Sequence, residues 1–253
     1  MSFANRLMQS ATLIVLPALR DLVAPAACLT CEARVARQGG LCARCWTSMR
    51  FIERPYCEVL GTPFPYDHGA GAVSPQAIAD PPPFDRLRSA VLYGDLARRL
   101  VSNLKFADRS DLAPWMARWM ATAGRELAAQ CAVTIPVPLH WRRLHQRRYN
   151  QSAELARHVA RIAAIGYEPQ ALVRHRPTQR QVGLSLLARA RNVQGAFRVP
   201  ASERPLVEGR RVLLVDDVYT TGATVRACAR ALKRAGASGV DVLTFARVVG
   251  DDI

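Results

Sequence analysis

Apolar residues follow two patterns along this 253-residue chain. Short apolar runs occupy residues 87–93, 133–138, 172–174, 212–215 and 240–249. Between them lie longer stretches in which apolar residues recur every three or four positions. One is 94–106, with Leu96, Leu100 and Leu104 on one stripe; another is 111–129, with Trp115, Met116, Trp119 and Met120. Residues 152–165, 184–193 and 223–235 complete the set, the last ending before Gly236. The short runs predict strands buried on both faces, and the periodic stretches predict amphipathic helices. Strand alternating with helix predicts an α/β fold with a parallel sheet flanked by helices.

Before residue 85 the pattern changes. Residues 1–27 read as an amphipathic helix. Their apolar stretch, 11–19, is broken by Pro17 and followed at once by Arg20 and Asp21, too short to span a bilayer. Ala26-Ala27-Cys28 has the look of a signal cleavage site, but the charged pair argues against an export signal, and a cytoplasmic location is expected. Residues 28–60 hold five of the seven cysteines. Cys28-x-x-Cys31 and Cys42-x-x-Cys45 are two knuckles at tetrahedral Zn²⁺ spacing, and Gly39-Gly40 allows the turn between them. Disulfides are the competing reading, disfavoured for cytosolic thiols. Four sulfur ligands would close a structural zinc site, with no position left for catalysis. Cys57 stands apart, and Cys131 and Cys228 read as small core residues. Residues 61–84, rich in Gly and Pro and ending Asp80-Pro81-Pro82-Pro83, read as a linker before a main domain over 85–253.

The candidate chemistry concentrates in residues 211–224. The apolar run 212–215 leads into Asp216 and Asp217, which are expected at the end of the strand. Thr220-Thr221-Gly222-Ala223-Thr224 then feeds a helix. A loop of small and hydroxyl residues at a helix N-terminus offers N–H and O–H donors and the positive dipole end, a cradle for phosphate. A carboxylate pair repels phosphate but suits sugar hydroxyls or Mg²⁺. Together they suit a sugar phosphate. The plainer alternative is that these Asp and Thr residues only cap the helix.

Net charge is +15, carried almost wholly by arginine, since Lys105 and Lys233 are the only lysines. Such a balance fits nucleic acid, polyphosphate ligands or an acidic partner, and equally an overall compositional bias toward Arg and Ala. A further basic stretch, with Arg142, Arg143, Arg147 and Arg148, follows the proline-ended strand at 133–138 and reads either as a polyanion site or as a solvated loop.

Residues 211–224 resemble the 5-phosphoribosyl-1-diphosphate (PRPP) motif of type I phosphoribosyltransferases. The resemblance extends further. The cysteine pairs are followed by Leu104-Lys105-Phe106 and then by Ile135-Pro136-Val137-Pro138-Leu139-His140. Arg147-x-x-Asn150-Gln151 comes next, then residues 181–197 with Arg191-Asn192 and Gly195-Ala196-Phe197, and finally the acid and Thr-Thr-Gly signature. This order resembles the ComF family of competence-associated, phosphoribosyltransferase-like proteins over nearly the whole chain. It implies a type I phosphoribosyltransferase-like sheet with a small N-terminal zinc module. It also implies Asp216 and Asp217 on the ribose hydroxyls and Mg²⁺, and Thr220, Thr221, Gly222, Ala223 and Thr224 on the 5-phosphate. Val137, Pro138, Leu139 and His140 fall on the pyrophosphate side, with Arg142 as a further candidate there, and residues 176–184 sit where a hood would cover the site. Two departures stand out. Only Cys57 remains where family members carry a further cysteine pair, and Arg148 replaces the Gly that precedes the aromatic-Asn-Gln in many members.

Two functions of different class follow. One is a Mg²⁺-dependent phosphoribosyltransferase using PRPP, with an acceptor that no residue identifies. The other is a non-catalytic protein of the same fold that binds nucleotide, PRPP or single-stranded DNA, alongside a competence protein partner, during DNA uptake.

Overall fold

Four of the five apolar runs form a parallel sheet, and the fifth, 172–174, does not, in the computed structural model, which describes residues 26–106, 109–139, 149–176 and 186–250. In chain order the strands are β1 (Arg86–Leu92), β2 (Val133–Pro136), β3 (Gly166–Tyr167), β4 (Val173–Arg174), β5 (Phe197–Arg198), β6 (Arg211–Tyr219) and β7 (Gly239–Arg247). Five of them make one sheet in the order β1-β7-β6-β2-β3, every neighbouring pair parallel. β4 and β5 form a separate antiparallel pair. β3, β4 and β5 are two-residue strands, too short for an apolar pattern; β3 and β5 lie outside every predicted run.

The helices are α1 (Ala43–Ser48), α2 (Pro75–Ala79), α3 (Asp95–Phe106), α4 (Ala113–Ala123), α5 (Arg125–Ala128), α6 (Gln151–Ala163), α7 (Leu186–Val193) and α8 (Ala223–Arg234). α4 and α6 pack on one another, α4 against β1 and β7 and α6 against β2 and β6. α8 packs with α7 and β5 and contributes Val225, Cys228 and Leu232 to a core that also holds Val212, Leu214, Val240 and Val242. Helices therefore cover both faces, and for that reason β6 and β7 read as continuous apolar runs. Cys131 and Cys228 are buried, in keeping with a packing role.

The chain divides into two compact units, the first ending at Ser48 and the second beginning at Met49. In the second unit, residues 50–59 run along the free edge of β1. Leu92 N–H donates to Arg50 O (2.8 Å), Ile52 N–H to Ala90 O (3.0 Å) and Leu87 N–H to Val59 O (2.8 Å). This covers an edge that would otherwise present unpaired backbone groups. The Gly- and Pro-rich stretch 61–84 supplies α2, and Ala77 and Phe84 join the core. Of the expected N-terminal helix, 1–27, all but Ala26 and Ala27 lies outside the described residues.

Two expectations change. The single helix over 111–129 is a 3₁₀ turn (Ser110–Leu112), then α4, then α5, with the break at Gly124. A Cβ at Gly124 would lie 2.7 Å from Leu243 Cδ1, so the break marks the closest approach of this layer to β7. The strand expected over 212–215 runs on through both acids to Tyr219, because β7 keeps pairing with it as far as Arg247 opposite Tyr219.

Candidate functional site

In the first unit, the backbone is folded around sulfur. Cys28 N–H donates to Ala33 O (2.8 Å), and Glu32 N–H to Cys28 O (3.2 Å), closing a tight knuckle in which Glu32 adopts φ 61°. Gly39 turns with φ 79°, and α1 then carries Cys45 inward. Cys42 N–H donates to Cys28 Sγ (3.3 Å). The Sγ atoms of Cys28, Cys31, Cys42 and Cys45 all lie within 4.8 Å of one another, with Cys31 and Cys42 at 3.5 Å. Zn–S bonds of about 2.3 Å imply sulfur–sulfur edges of about 3.8 Å in a tetrahedron, so the donor set fits a zinc ion. Cys57 is not part of this cluster. It is buried in the core of the second unit, where Sγ accepts N–H from Leu60 (3.3 Å) and Ser74 (3.2 Å).

In the second unit, the chemistry gathers at the C-terminal edge of the sheet between β2 and β6. The connection after β2 leads to α6 and that after β6 leads to α8, and these helices pack against different sets of elements. A crevice opens where neighbouring connections diverge in this way. β2 stops at Pro136, opposite Val215, and Val137 N–H makes a last bond to Val215 O (2.8 Å). Pro138 has no N–H to continue the ladder. Asp216 and Asp217 therefore lie one step beyond the end of β2, flanked on the other side by β7.

Both acids are buried, 9% and 6% exposed, and each is held by the start of α6. Ser152 Oγ donates to Asp216 Oδ1 (2.8 Å), and Gln151 Nε2 lies 3.4 Å from Asp217 Oδ2. Asp217 N–H donates to Asp216 Oδ1 (2.9 Å), and Val218 N–H to Asp217 Oδ1 (2.7 Å). Asn150 caps α6 by accepting from Ser152 N–H (3.0 Å) and donates through Nδ2 to Val137 O (3.0 Å). Tyr149 donates its hydroxyl to Leu104 O. Four consecutive residues, Tyr149 to Ser152, thus tie the ends of α3 and β2 to the acid pair. From α3, Lys105 Nζ reaches Asp217 Oδ2 at 2.6 Å.

Burial, and next the charge of Asp217, push the Asp216 carboxyl from its usual 3.8 up to about 7, against the opposing pull of the Ser152 hydroxyl. The folded chain then retains a proton that the unfolded chain releases. Stability is therefore lost as pH rises from about 4 to about 7. Asp216→Asn removes that loss. We expect the variant to exceed wild type in stability by about 2 kcal/mol at pH 8, with the gap closing toward pH 4, measured by paired thermal melts. A variant less stable than wild type at pH 8 would contradict this reading of the acid pair.

The loop after the acids turns at Gly222, which adopts φ 75° and forms the N-cap of α8 with no side-chain hydrogen bond. The N-cap position itself is thus glycine rather than an acid or a threonine, and Thr221 Oγ1 accepts a long bond from the first helical N–H, that of Ala223 (3.5 Å). A Cβ on Gly222 would stand 2.6 Å from Tyr219 Cζ, so the loop needs glycine both for its φ and for its seat on the tyrosine ring. Behind that ring, Arg247 is buried, its guanidinium 5.5 Å from the ring centroid and donating to Leu60 O. Burial lowers its pKa to about 10, so it is still cationic at neutral pH and adds positive potential behind the cradle. We expect Gly222→Ala to cost about 1–3 kcal/mol of stability, read by thermal melts, and to weaken binding of a phosphorylated ligand. A neutral substitution would show that the loop has no such constraint.

On the side assigned to pyrophosphate by the resemblance, Val137 and Pro138 are buried and Leu139 is half-buried. His140 and Arg142, with Arg143, Arg147 and Arg148, lie outside the described residues, as does the hood segment beyond Arg176. Arg176 itself donates through Nη2 to Gln194 O (2.6 Å).

The double zinc ribbon domain matches residues 19–74, and the phosphoribosyl transferase domain matches residues 149–250. DNA utilization protein YhgH of Escherichia coli K12 is 32% identical over 235 residues, covering 90% of this chain and 100% of that protein. The chain belongs to the ComF/YhgH family. Competence protein F of Haemophilus influenzae is 28% identical over 87% of this chain and 96% of its own. A solved structure described as the allosteric regulatory enzyme of purine biosynthesis has 24% identity and a TM-score of 0.39, covering 56% of this chain and 29% of that one. Membership of the ComF/YhgH family brings a phosphoribosyltransferase-like α/β fold and an N-terminal four-cysteine zinc-binding module. Against the double ribbon that the domain name describes, the described residues of this member hold a single four-cysteine cluster.

Proposed function

We propose that the second unit binds PRPP, or a closely related ribose phosphate, together with Mg²⁺, in the service of DNA uptake or nucleotide metabolism. The observation that carries this reading is the buried acid pair at the β2–β6 crevice, followed within a few residues by a glycine turn at the N-terminus of α8. Asp216 and Asp217 would take the ribose diol and the metal, whose hard-oxygen preference they match. Residues 220–224 would take the 5-phosphate through backbone N–H groups and threonine hydroxyls. Val137, Pro138 and Leu139, together with His140 and Arg142, would border the pyrophosphate.

For transfer, the C1–O bond to pyrophosphate breaks as an oxocarbenium-like ribosyl cation develops. Mg²⁺ would neutralise charge on the departing pyrophosphate. The contribution of this chain is to hold the ribose in a fixed pose between acids and cradle, where orientation supplies much of the acceleration. Arg247 and the α8 dipole bias the crevice toward anions. Among the described residues no helix is long and apolar enough to cross a membrane. We place the activity in the cytoplasm, where the four-cysteine zinc module is stable in reducing conditions.

A second reading is favoured by the names of the relatives, which concern DNA utilization and competence, and by the net charge of +15. In it the fold binds PRPP or single-stranded DNA without turnover. The deciding experiment is pyrophosphate release from PRPP and Mg²⁺ across a panel of bases and amines. Acceptor-dependent release establishes the transferase. PRPP binding with no release, alongside steeply salt-dependent single-stranded DNA binding that survives Asp216→Asn, establishes the second reading.

A further inference from the structure

Lys105 brings a positive charge to the acid pair from a separate element of the chain. Its Nζ lies 2.6 Å from Asp217 Oδ2, with Lys105 23% and Asp217 8% exposed at the side chain. The residue before it, Leu104, accepts the Tyr149 hydroxyl through its carbonyl, so the end of α3 is pinned to the segment that supplies Gln151 and Ser152. Both oxygens of Asp217 are engaged. Among the described residues, Oδ1 takes the Val218 N–H, a backbone bond within β6, and Oδ2 takes the side chains of Gln151 and Lys105. A metal ion that binds Asp217 at Oδ2 therefore meets the Lys105 ammonium there.

The choice of residue also matters. Basic positions in this chain are almost all arginine; Lys105 is one of only two lysines. A guanidinium would grip a carboxylate with two parallel bonds. An ammonium is a compact, strongly hydrated point charge that takes one oxygen, as a metal ion does, and gives it up more readily.

We propose that Lys105 is the cation the chain itself supplies to the acid pair, a positioning residue that competes with a divalent metal ion for Asp217 Oδ2. Metal binding at Asp217 expels the ammonium, which becomes available to an anionic ligand in the same crevice. This rests on the reading of the acid pair as a metal and ribose site, and the test separates the two.

The probe is Mn²⁺ alone, with free metal counted by electron paramagnetic resonance. Lys105→Gln is expected to bind Mn²⁺ about tenfold more tightly than wild type, since a competing unit charge has gone from about 3 Å away. Lys105→Arg covers the case in which the neutral variant fails to fold. Its fork holds Asp217 more firmly, and Mn²⁺ affinity falls below wild type. Adding Asp217→Asn abolishes the tight binding of Lys105→Gln. Asp217-dependent Mn²⁺ binding of equal strength in wild type and both Lys105 variants overturns the competition and leaves the sugar-phosphate reading standing. Mn²⁺ binding that ignores Asp217, or no binding in any of the proteins, overturns both.

Discussion

Replacing both acids, Asp216→Asn with Asp217→Asn, abolishes binding of PRPP with Mg²⁺ and leaves the fold intact. The expected loss exceeds 100-fold, about 3 kcal/mol or more, because the pair can no longer supply a carboxylate to the metal and the ribose diol. Stability is not expected to suffer. The acids are buried, and Asp216 holds its proton up to about pH 7 under the burden of burial and the Asp217 charge, so ionisation at neutral pH costs the folded state. Asparagine keeps an oxygen that can accept from the Ser152 hydroxyl and from the Val218 N–H. Lys105, partly exposed, can rehydrate once Asp217 is neutral. The pairing of lost binding with undiminished melting temperature distinguishes a ligand site from a structural ion pair, whose removal would lower both. Unchanged affinity in the double variant would remove the acids from the site.

The second large effect concerns metal removal. Among the described residues of the first unit only Cys28, Leu29 and Cys45 are buried. With so few buried apolar residues among those described, bound metal is expected to supply the main stabilisation of this cysteine segment, about 10–16 kcal/mol for structural zinc near pH 7. We expect one zinc ion per chain by elemental analysis of reduced protein purified without chelator. Cys42→Ser, or exhaustive chelation, should release it and open the unit to trypsin at Arg34, Arg37 and Arg44, all exposed on its surface. Reduced protein without metal and with those sites still resistant would contradict the assignment.

What could be read from the sequence was whatever chemistry is contiguous in it. Two cysteine knuckles, or an acid pair four residues from a Thr-Thr-Gly turn, lie within a short stretch, and local geometry brings them together almost regardless of the rest. Four of the five strands of the central sheet were legible for a related reason, since burial on both faces leaves nearly unbroken apolar runs. What escaped depends on contacts between distant elements. Lys105 meets Asp217 across more than a hundred residues, and nothing in Leu104-Lys105-Phe106 says where its charge goes. Asn150-Gln151 was visible as part of a resemblance. That Tyr149, Asn150, Gln151 and Ser152 each bond a different group around the acids emerges only when α6 is seen end-on to the sheet.

β7 gives the sharpest case. Its apolar run contains two charged residues, Asp241 and Arg247, indistinguishable by pattern. Asp241, near the start of the strand, accepts from Arg86 (2.9 Å) and Arg211 (3.0 Å) and closes the end of the sheet away from the acids. Arg247, at the other end, lies behind the tyrosine that seats Gly222. Position along a strand, which only the register supplies, separates a structural ion pair from a charge placed behind a ligand cradle. The break at Gly124 was hidden for a similar reason. A lone glycine in a helical pattern shows no sign that Leu243 occupies the space its side chain would need.

Calorimetric titration of PRPP with Mg²⁺ into the wild-type protein tests the central claim most directly. The account predicts saturable binding at one site per chain, lost when PRPP and Mg²⁺ are replaced by ribose alone, and lost in the double acid variant. No heat and no thermal stabilisation at millimolar PRPP and Mg²⁺ would contradict it, and would leave the acid pair and glycine turn as a scaffold without a sugar phosphate to hold.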